Sequence, residues 1–446
     1  MKKTTLALAV AASTLGLSQV ASADFIGDSK ATVDLRNLYF NSDNRESQNY
    51  SGQTEEWGQG FILNFQSGFT EGTVGFGVDA IGLLGLRLDS GGRNTTPAKA
   101  GQDRTPGQLF PLDTDGSAVS DYSKAGVTAK ARISKTELRL GTLQPKLPVV
   151  TFNDGRLLPQ LFEGGQITSS EIDGLTLTAG QLEHAKGRSS TDSRGLSIGG
   201  ANSGATRQFV NTFYFAGGDY KITKDLTAQY YYGNLEDFYK QHFLGLVHNY
   251  ALGGGNLKSD LRYFYSDADG KNGSVAGRAE GFRSSGYWNP GDSKAGEVDN
   301  RTWSALFTYS HSGHELNAGY QQVSGNSAFP FLNQGDGATA YLITDRQIGK
   351  FASAGERTWL AGYGYDFGKL GVPGLKASVT YLSGDHIDNA TGDKKEWERD
   401  FRLDYVLQEG ALKGLGFSWR NASLRSEVAN DTDENRLYVT YSLPLL

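Results

Sequence analysis

The feature that most constrains this chain is a period-two alternation of apolar and polar residues that recurs along nearly its whole length. Near the carboxyl end, Leu437, Val439, Tyr441 and Leu443 share one parity, while Arg436, Tyr438, Thr440 and Ser442 share the other. Successive side chains of a β-strand point to opposite faces, so such a stretch has one apolar and one polar side. The pattern returns at Leu415, Phe417 and Trp419 against Gly416, Ser418 and Arg420, at Phe401, Leu403 and Tyr405 against Asp400, Arg402 and Asp404, and at Phe61, Leu63 and Phe65 against Gly60, Asn64 and Gln66. In water the apolar side would need a core; in a bilayer, lipid covers it, provided the sheet closes and leaves no unpaired edge. About eighteen such segments occur, each around ten residues, the length a tilted strand needs to cross the hydrocarbon layer. They begin near Lys30, Trp57, Thr73, Ser123, Thr136, Gly165, Leu175, Thr212, Asp225, Tyr239, Leu257, Arg301, Glu315, Thr358, Lys376, Trp397, Leu415 and Arg436. The fold expected is all-β, a transmembrane antiparallel β-barrel.

The connections support the same architecture. Short turns such as Thr223-Lys224-Asp225 and 410–414 alternate with long polar loops at 95–121, 184–211, 268–300 and 324–356, the asymmetry of an outer-membrane barrel. Tyr39, Trp57, Trp303, Tyr309, Trp359, Tyr381 and Trp397 fall near strand ends, where interfacial girdles form. At the amino end, Lys2 and Lys3 precede an apolar run from Leu6 to Leu17 and the small residues Ala21-Ser22-Ala23. That pattern predicts a secretory signal over 1–23 and a single barrel domain over 24–446. With no cysteine, an exported chain must be held together without disulfides, and thiolate chemistry is excluded. The acidic net charge of -6 argues against a nucleic-acid partner.

A barrel this wide cannot fill its interior with strand side chains, so it should enclose water, narrowed by inward-folded loops. On that view, parity points Arg36, Lys130, Arg132, Arg139, Arg262, Lys376, Arg402, Arg420 and Arg436 into the lumen. A line of guanidinium groups suits carboxylates, because the fork donates two parallel hydrogen bonds and stays charged at any relevant pH. The alternative is that these cations only balance lumenal acids such as Asp34, Glu137, Asp260, Asp400 and Asp404. Other motifs carry less chemistry. His311-Ser312-Gly313-His314 sits at a turn; Asp267, Asp269 and Asn272 lack the remaining ligands of a calcium loop, with Lys271 and Arg278 where acids belong; Gly75-Phe76-Gly77 opens no helix and reads as strand glycines facing the lumen. No catalytic group, metal or cofactor is expected.

Several ordered motifs then carry a family resemblance over essentially the whole mature chain: 34–41 (DLRNLYFN), 56–61 (EWGQGF), 72–80 (GTVGFGVDA), 154–160 (DGRLLPQ) and 371–375 (GVPGL). The chain resembles the OprD family of substrate-specific outer-membrane channels. The resemblance implies an eighteen-stranded barrel, a constriction made by inward loops and a ladder of basic residues guiding small carboxylates. Arg36, Lys130, Arg132, Arg139 and Arg436 lie within recognisable motifs, with Arg139 where the family pattern has lysine. Arg156, in the third loop, would stand at the narrowest point, and Tyr231 matches a tyrosine that lines the constriction. Arg399 shares the parity of Trp397 and Phe401 and faces lipid unless a bulge turns it inward. Asp336 would supply an acidic counterpart at the eyelet. The Trp397-Glu398-Arg399-Asp400 motif and the Leu-Leu-Pro-Gln loop lean towards the branch for benzoate- or vanillate-like acids. Expected partners are small organic anions, outer-membrane lipid and lipopolysaccharide, with the chain a monomer or a weak homotrimer. The alternatives are a general or amino-acid and peptide porin and, from another class, an outer-membrane enzyme or receptor.

Overall fold

The computed structural model describes residues 22–45, 52–93, 105–200, 207–333 and 339–446. Most of the expected signal, and Asp336, lie outside the described residues. Among those described, eighteen long strands follow one another. The first nine are β1 Lys30–Asn44, β2 Gln53–Gln66, β3 Gly75–Ser90, β4 Asp121–Ile133, β5 Thr136–Leu143, β6 Leu161–Ser169, β7 Leu175–Lys186, β8 Phe213–Lys221 and β9 Leu226–Leu235. The rest are β10 Tyr239–Leu252, β11 Gly255–Ala268, β12 Asp299–His311, β13 His314–Ser324, β14 Arg357–Asp366, β15 Leu375–Ile387, β16 Lys394–Val406, β17 Gly416–Ser426 and β18 Thr432–Pro444. Each pairs antiparallel with the next, and β18 pairs with β1, Arg36 opposite Thr440 and Phe40 opposite Arg436, so the sheet closes. A three-residue strand, Ser193–Gly195, extends the sheet beside the end of β7.

The alternation of the sequence becomes the two faces of this wall. Leu63, Leu84, Val127, Leu140, Leu177, Leu244, Phe307, Val379, Phe417 and Leu437 are exposed on the outside, bounded by aromatics such as Trp57, Trp303 and Trp359. Strands start within a few residues of the positions expected, and Lys30, Thr136, Leu175 and Tyr239 coincide. The larger offsets, at β2, β6, β16 and β18, all lie at the long-loop end. There the strands run on past the apolar band: at β2, β16 and β18 both faces are polar, and at β6 the first residues, Leu161 and Phe162, are both buried under loops, so alternation carries no signal.

The short turns are chemically specified. At the β12–β13 hairpin, Ser312 has φ of 49° and Gly313 of 87°, the left-handed pair that a two-residue turn requires. His311 and His314 flank it, His311 stacking on Tyr309 and His314 bonded through Nδ1 to the Tyr363 hydroxyl at 2.8 Å. Asn272 is buried and its amide is spent on the Phe282 and Gly296 carbonyls and the Val298 N–H, so it serves the loop and not a cation.

One part of the inner face departs from the polar lumen expected. Phe162, Leu182, Phe213, Phe215, Leu235, Phe243 and Phe264 all point inward and are buried, packed against Val149, Val150, Leu196, Phe329 and Leu342 from the loops 144–160, 187–212 and 325–356. A second cluster joins Leu38, Phe40, Ile62 and Tyr438 of the wall to Leu157, Leu158, Leu109 and Phe110 of loops. The inward loops are thus anchored by ordinary hydrophobic burial on an apolar half of the inner wall, each large side chain contributing roughly 1.5–3 kcal/mol. Gly180 makes room for this layer: a Cβ there would come within 2.5 Å of the Phe215 ring.

Candidate substrate path

Where the loops leave the lumen open, one side carries a row of arginines interleaved with acids. Strand register places Arg436 of β18 directly opposite Arg420 of β17, and Arg420 directly opposite Arg402 of β16. Parity alone puts these side chains in the lumen; only register makes them one continuous row. Like charges directly opposite one another on a sheet are destabilising, so such a row needs compensation or a use. Compensation exists at its ends. Arg436 is 5% exposed and pairs with Glu434 at 2.6 Å, and Arg402 pairs with Asp404 at 2.5 Å. Arg420 between them donates to the Ser418 hydroxyl at 3.4 Å and lies over the Tyr438 ring at 4.7 Å, and among the described residues no carboxylate stands within ion-pair distance of it.

The third loop brings further guanidinium groups to the top of this row. The Gly155 carbonyl accepts from Arg156 at 3.0 Å, from Arg436 at 3.4 Å and from the Tyr438 hydroxyl at 3.4 Å. Arg188, from the loop after β7, donates to Asn153 at 3.3 Å, and a Cβ on Gly155 would sit 3.5 Å from its Nη1. Arg156 lies over the Phe40 ring at 4.6 Å, and its buried Nε has no hydrogen-bond partner among the described residues. Burial, then the facing Arg436 and Arg188, push the Arg156 guanidinium below its ordinary value. It stays protonated at neutral pH, but its charge is held at a cost that an anion would relieve. Beneath it, Arg36 grips Asp154 with two bonds of 2.7 and 3.0 Å and donates to the Arg156 carbonyl at 2.9 Å. Arg36, Arg420, Arg402 and Lys376 then line one cavity of about 750 Å³ with Asp154, Asp366, Asp404 and Tyr438.

The chain matches the outer membrane porin, OprD family, over residues 23–445. It belongs to the OprD family of porins. Porin-like protein GalP of Pseudomonas putida is 36% identical over 433 residues, covering 96% of this chain and 95% of that protein. Among solved structures, Pseudomonas aeruginosa OccK8 (OprE) shares 62% identity with a TM-score of 0.87, over 95% of this chain and 100% of the other. Pseudomonas aeruginosa OpdK, solved with vanillate, shares 35% identity with a TM-score of 0.81, over 94% and 100%. The protein is therefore an OprD-family β-barrel channel of the Gram-negative outer membrane, and its homologues are porins, not enzymes.

Within this porin the residues singled out from sequence fall into separate groups. Arg36, Arg156, Arg402, Arg420, Arg436 and Lys376 surround one path. Lys130, Arg132 and Arg139 lie together on β4 and β5 but apart from that row, tied to Asp79, Glu137 and the Phe69 ring. Arg262 is bound bidentately to Asp260 and stacks at 4.0 Å on Tyr341, the arrangement of a charge-balanced pair. Two expectations need correction. Tyr231 does face inward, but it is 1% exposed beneath the loops and donates to Asp219 at 2.8 Å, so its ring offers no surface to a permeant molecule. Arg399 faces outward, donating to Asn421 at 2.8 Å and Ser423 at 3.2 Å; the β15–β16 register runs unbroken past it from Leu375 to Gly384, so no bulge turns it inward. Sequence reasoning missed Arg188, on the long loop after β7, where no alternation exists to assign a direction.

Proposed function

We propose that this porin is selective for small organic carboxylates, which descend the row Arg436, Arg420 and Arg402 towards Lys376. The observation that carries the reading is that row, a direct cross-strand line of three arginines whose middle member has no carboxylate partner among the described residues. An anion entering from the loop side would meet Arg156, Arg188 and Arg436 around Gly155. It would exchange its carboxylate to Arg420 and then to Arg402 and Lys376. Transfer between neighbouring guanidinium groups keeps each step shallow, and several weak sites in series permit flux where one tight site would trap the substrate. The resident acids Glu434, Asp404 and Asp154 serve this scheme by competing for the same cations and so limiting affinity. The Tyr438 ring, which lies beside Arg420 and lines the open cavity, suits a carboxylate with an aromatic or other apolar body. OpdK, solved with vanillate, gives that class further support. Export by a signal over residues 1–23 belongs to the same proposal.

A non-selective pore is the competing reading, favoured by the salt bridges that already neutralise Arg36, Arg262, Arg402 and Arg436. Planar-bilayer recordings distinguish the two. Benzoate or vanillate added to one side should reduce chloride current saturably, and Arg420→Ala should weaken that competition. Unimpeded chloride current at high carboxylate would reject the selective reading.

A further inference from the structure

We infer that Glu56 and Glu398 are positioning residues for the arginines of the constriction: each holds an inward loop by a run of three backbone N–H groups and, through the glutamine in that run, aims one guanidinium. Glu56, on the inner face of β2, accepts from the N–H groups of Gly107, Gln108 and Leu109 at 3.2, 2.6 and 2.7 Å. Glu398, on the inner face of β16, accepts from Gln347, Ile348 and Gly349 at 3.2, 3.0 and 2.5 Å. Both carboxylates are buried, 1% and 0% exposed. Their wall positions are on well-separated strands and their loops are different, so the arrangement has arisen twice in one molecule.

The continuation from each loop is also parallel. Gln108, held by Glu56, accepts from Arg156 Nη2 through its side-chain oxygen at 3.2 Å. Gln347, held by Glu398, accepts from Arg436 Nη2 through its main-chain carbonyl at 2.8 Å, while its side chain donates to Glu434 at 3.1 Å. Neither Glu56 nor Glu398 is itself an ion-pair partner of Arg156 or Arg436, whose bonds run to the loops and to Glu434. Each carboxyl oxygen accepts along defined directions, so three consecutive backbone donors fix both the position and the orientation of a loop segment. The acids therefore act on the path at one remove. They decide where the loop carbonyl and amide oxygens stand, and those oxygens decide where two cations point.

The inference concerns the channel itself and not its preference for carboxylates, so it can be tested in potassium chloride alone. The full mature chain and the variants Glu56→Gln, Glu398→Gln and Gln108→Ala are recorded in planar bilayers under a salt gradient, with folding checked by heat-modifiable gel migration. Removing a lumenal negative charge by itself moves the reversal potential towards chloride preference. Loss of positioning moves it the other way, towards potassium, because Arg156 or Arg436 drifts from the path, and it makes the open-channel current noisier. The expected result is a shift towards potassium in both Glu variants, and a smaller shift of the same sign in Gln108→Ala, which changes no charge and leaves Glu56 in place. A shift towards chloride in the Glu variants, or an unchanged reversal potential in all three, overturns the inference. Because the sign is read relative to the unmodified chain, a parent channel that failed to prefer carboxylates would reject the proposed function without deciding this one.

Discussion

Arg420 stands between Arg436 and Arg402 with neither neighbour able to neutralise it, and this sets the expectation at the scale of single residues. Replacing it with alanine removes a like-charge contact on each side, so barrel stability in detergent should be unchanged or rise by about 0.2–1 kcal/mol, while carboxylate competition falls. A clear loss of stability together with intact competition would mark Arg420 as structural. Tyr231 makes the opposite prediction. Tyr231→Phe leaves Asp219 with the Gln229 amide as its remaining side-chain donor. It should lower unfolding stability by roughly 1–3 kcal/mol and leave conductance and selectivity alone. Arg399 belongs to neither class. It sits on the outer wall near the aromatic girdle, where a charge on the lipid face costs only about 0–1 kcal/mol; Arg399→Leu should therefore leave both melting and reversal potential close to those of the parent chain.

At the scale of elements, the third loop is held by Leu157 and Leu158, both fully buried against Leu38, Phe40, Ile62 and Phe110. Leu157→Ala should cost about 2–5 kcal/mol if the wall cannot collapse into the space, and the loosened loop should show as a larger and noisier unitary conductance; an unaltered conductance would mean the loop is held by its polar contacts alone. The strands are legible wherever lipid on one side and water on the other impose a period of two; where loops cover the inner wall, as at Phe213 and Phe243, both faces turn apolar and the pattern weakens. Parity points Arg36, Arg402, Arg420 and Arg436 inward, and in the folded sheet the first three line the cavity while Arg436 reaches the third loop. What parity does not contain is which residue of one strand faces which of the next, so the row Arg436, Arg420, Arg402 appears only in the folded sheet. The loops were opaque for a related reason. Tyr231, Phe213 and Phe243 share the inward parity of true lumen residues, and only the packing of residues 144–160 and 325–356 over them separates a covered wall from an open one.

At the scale of the whole molecule, the barrel divides its interior between two jobs. Around β6 to β11 the inner wall is apolar and serves as a floor for folded loops; around β16 to β18 and β1 it carries the arginine row, interleaved with Asp34, Asp400, Asp404 and Glu434, and its lower part lines the open cavity. The constriction forms where these halves meet, with Phe40 under Arg156 and Arg436, and its shape depends on loops fastened to both. Selectivity for carboxylates in this account comes from the arginine row, and the most direct test is the reversal potential and carboxylate block of single channels in planar bilayers, the parent chain beside Arg420→Ala. The account predicts a parent channel that favours anions and is blocked saturably by benzoate or vanillate, with both properties weakened in the variant. A parent channel that conducts without anion preference and is indifferent to added carboxylate would contradict it.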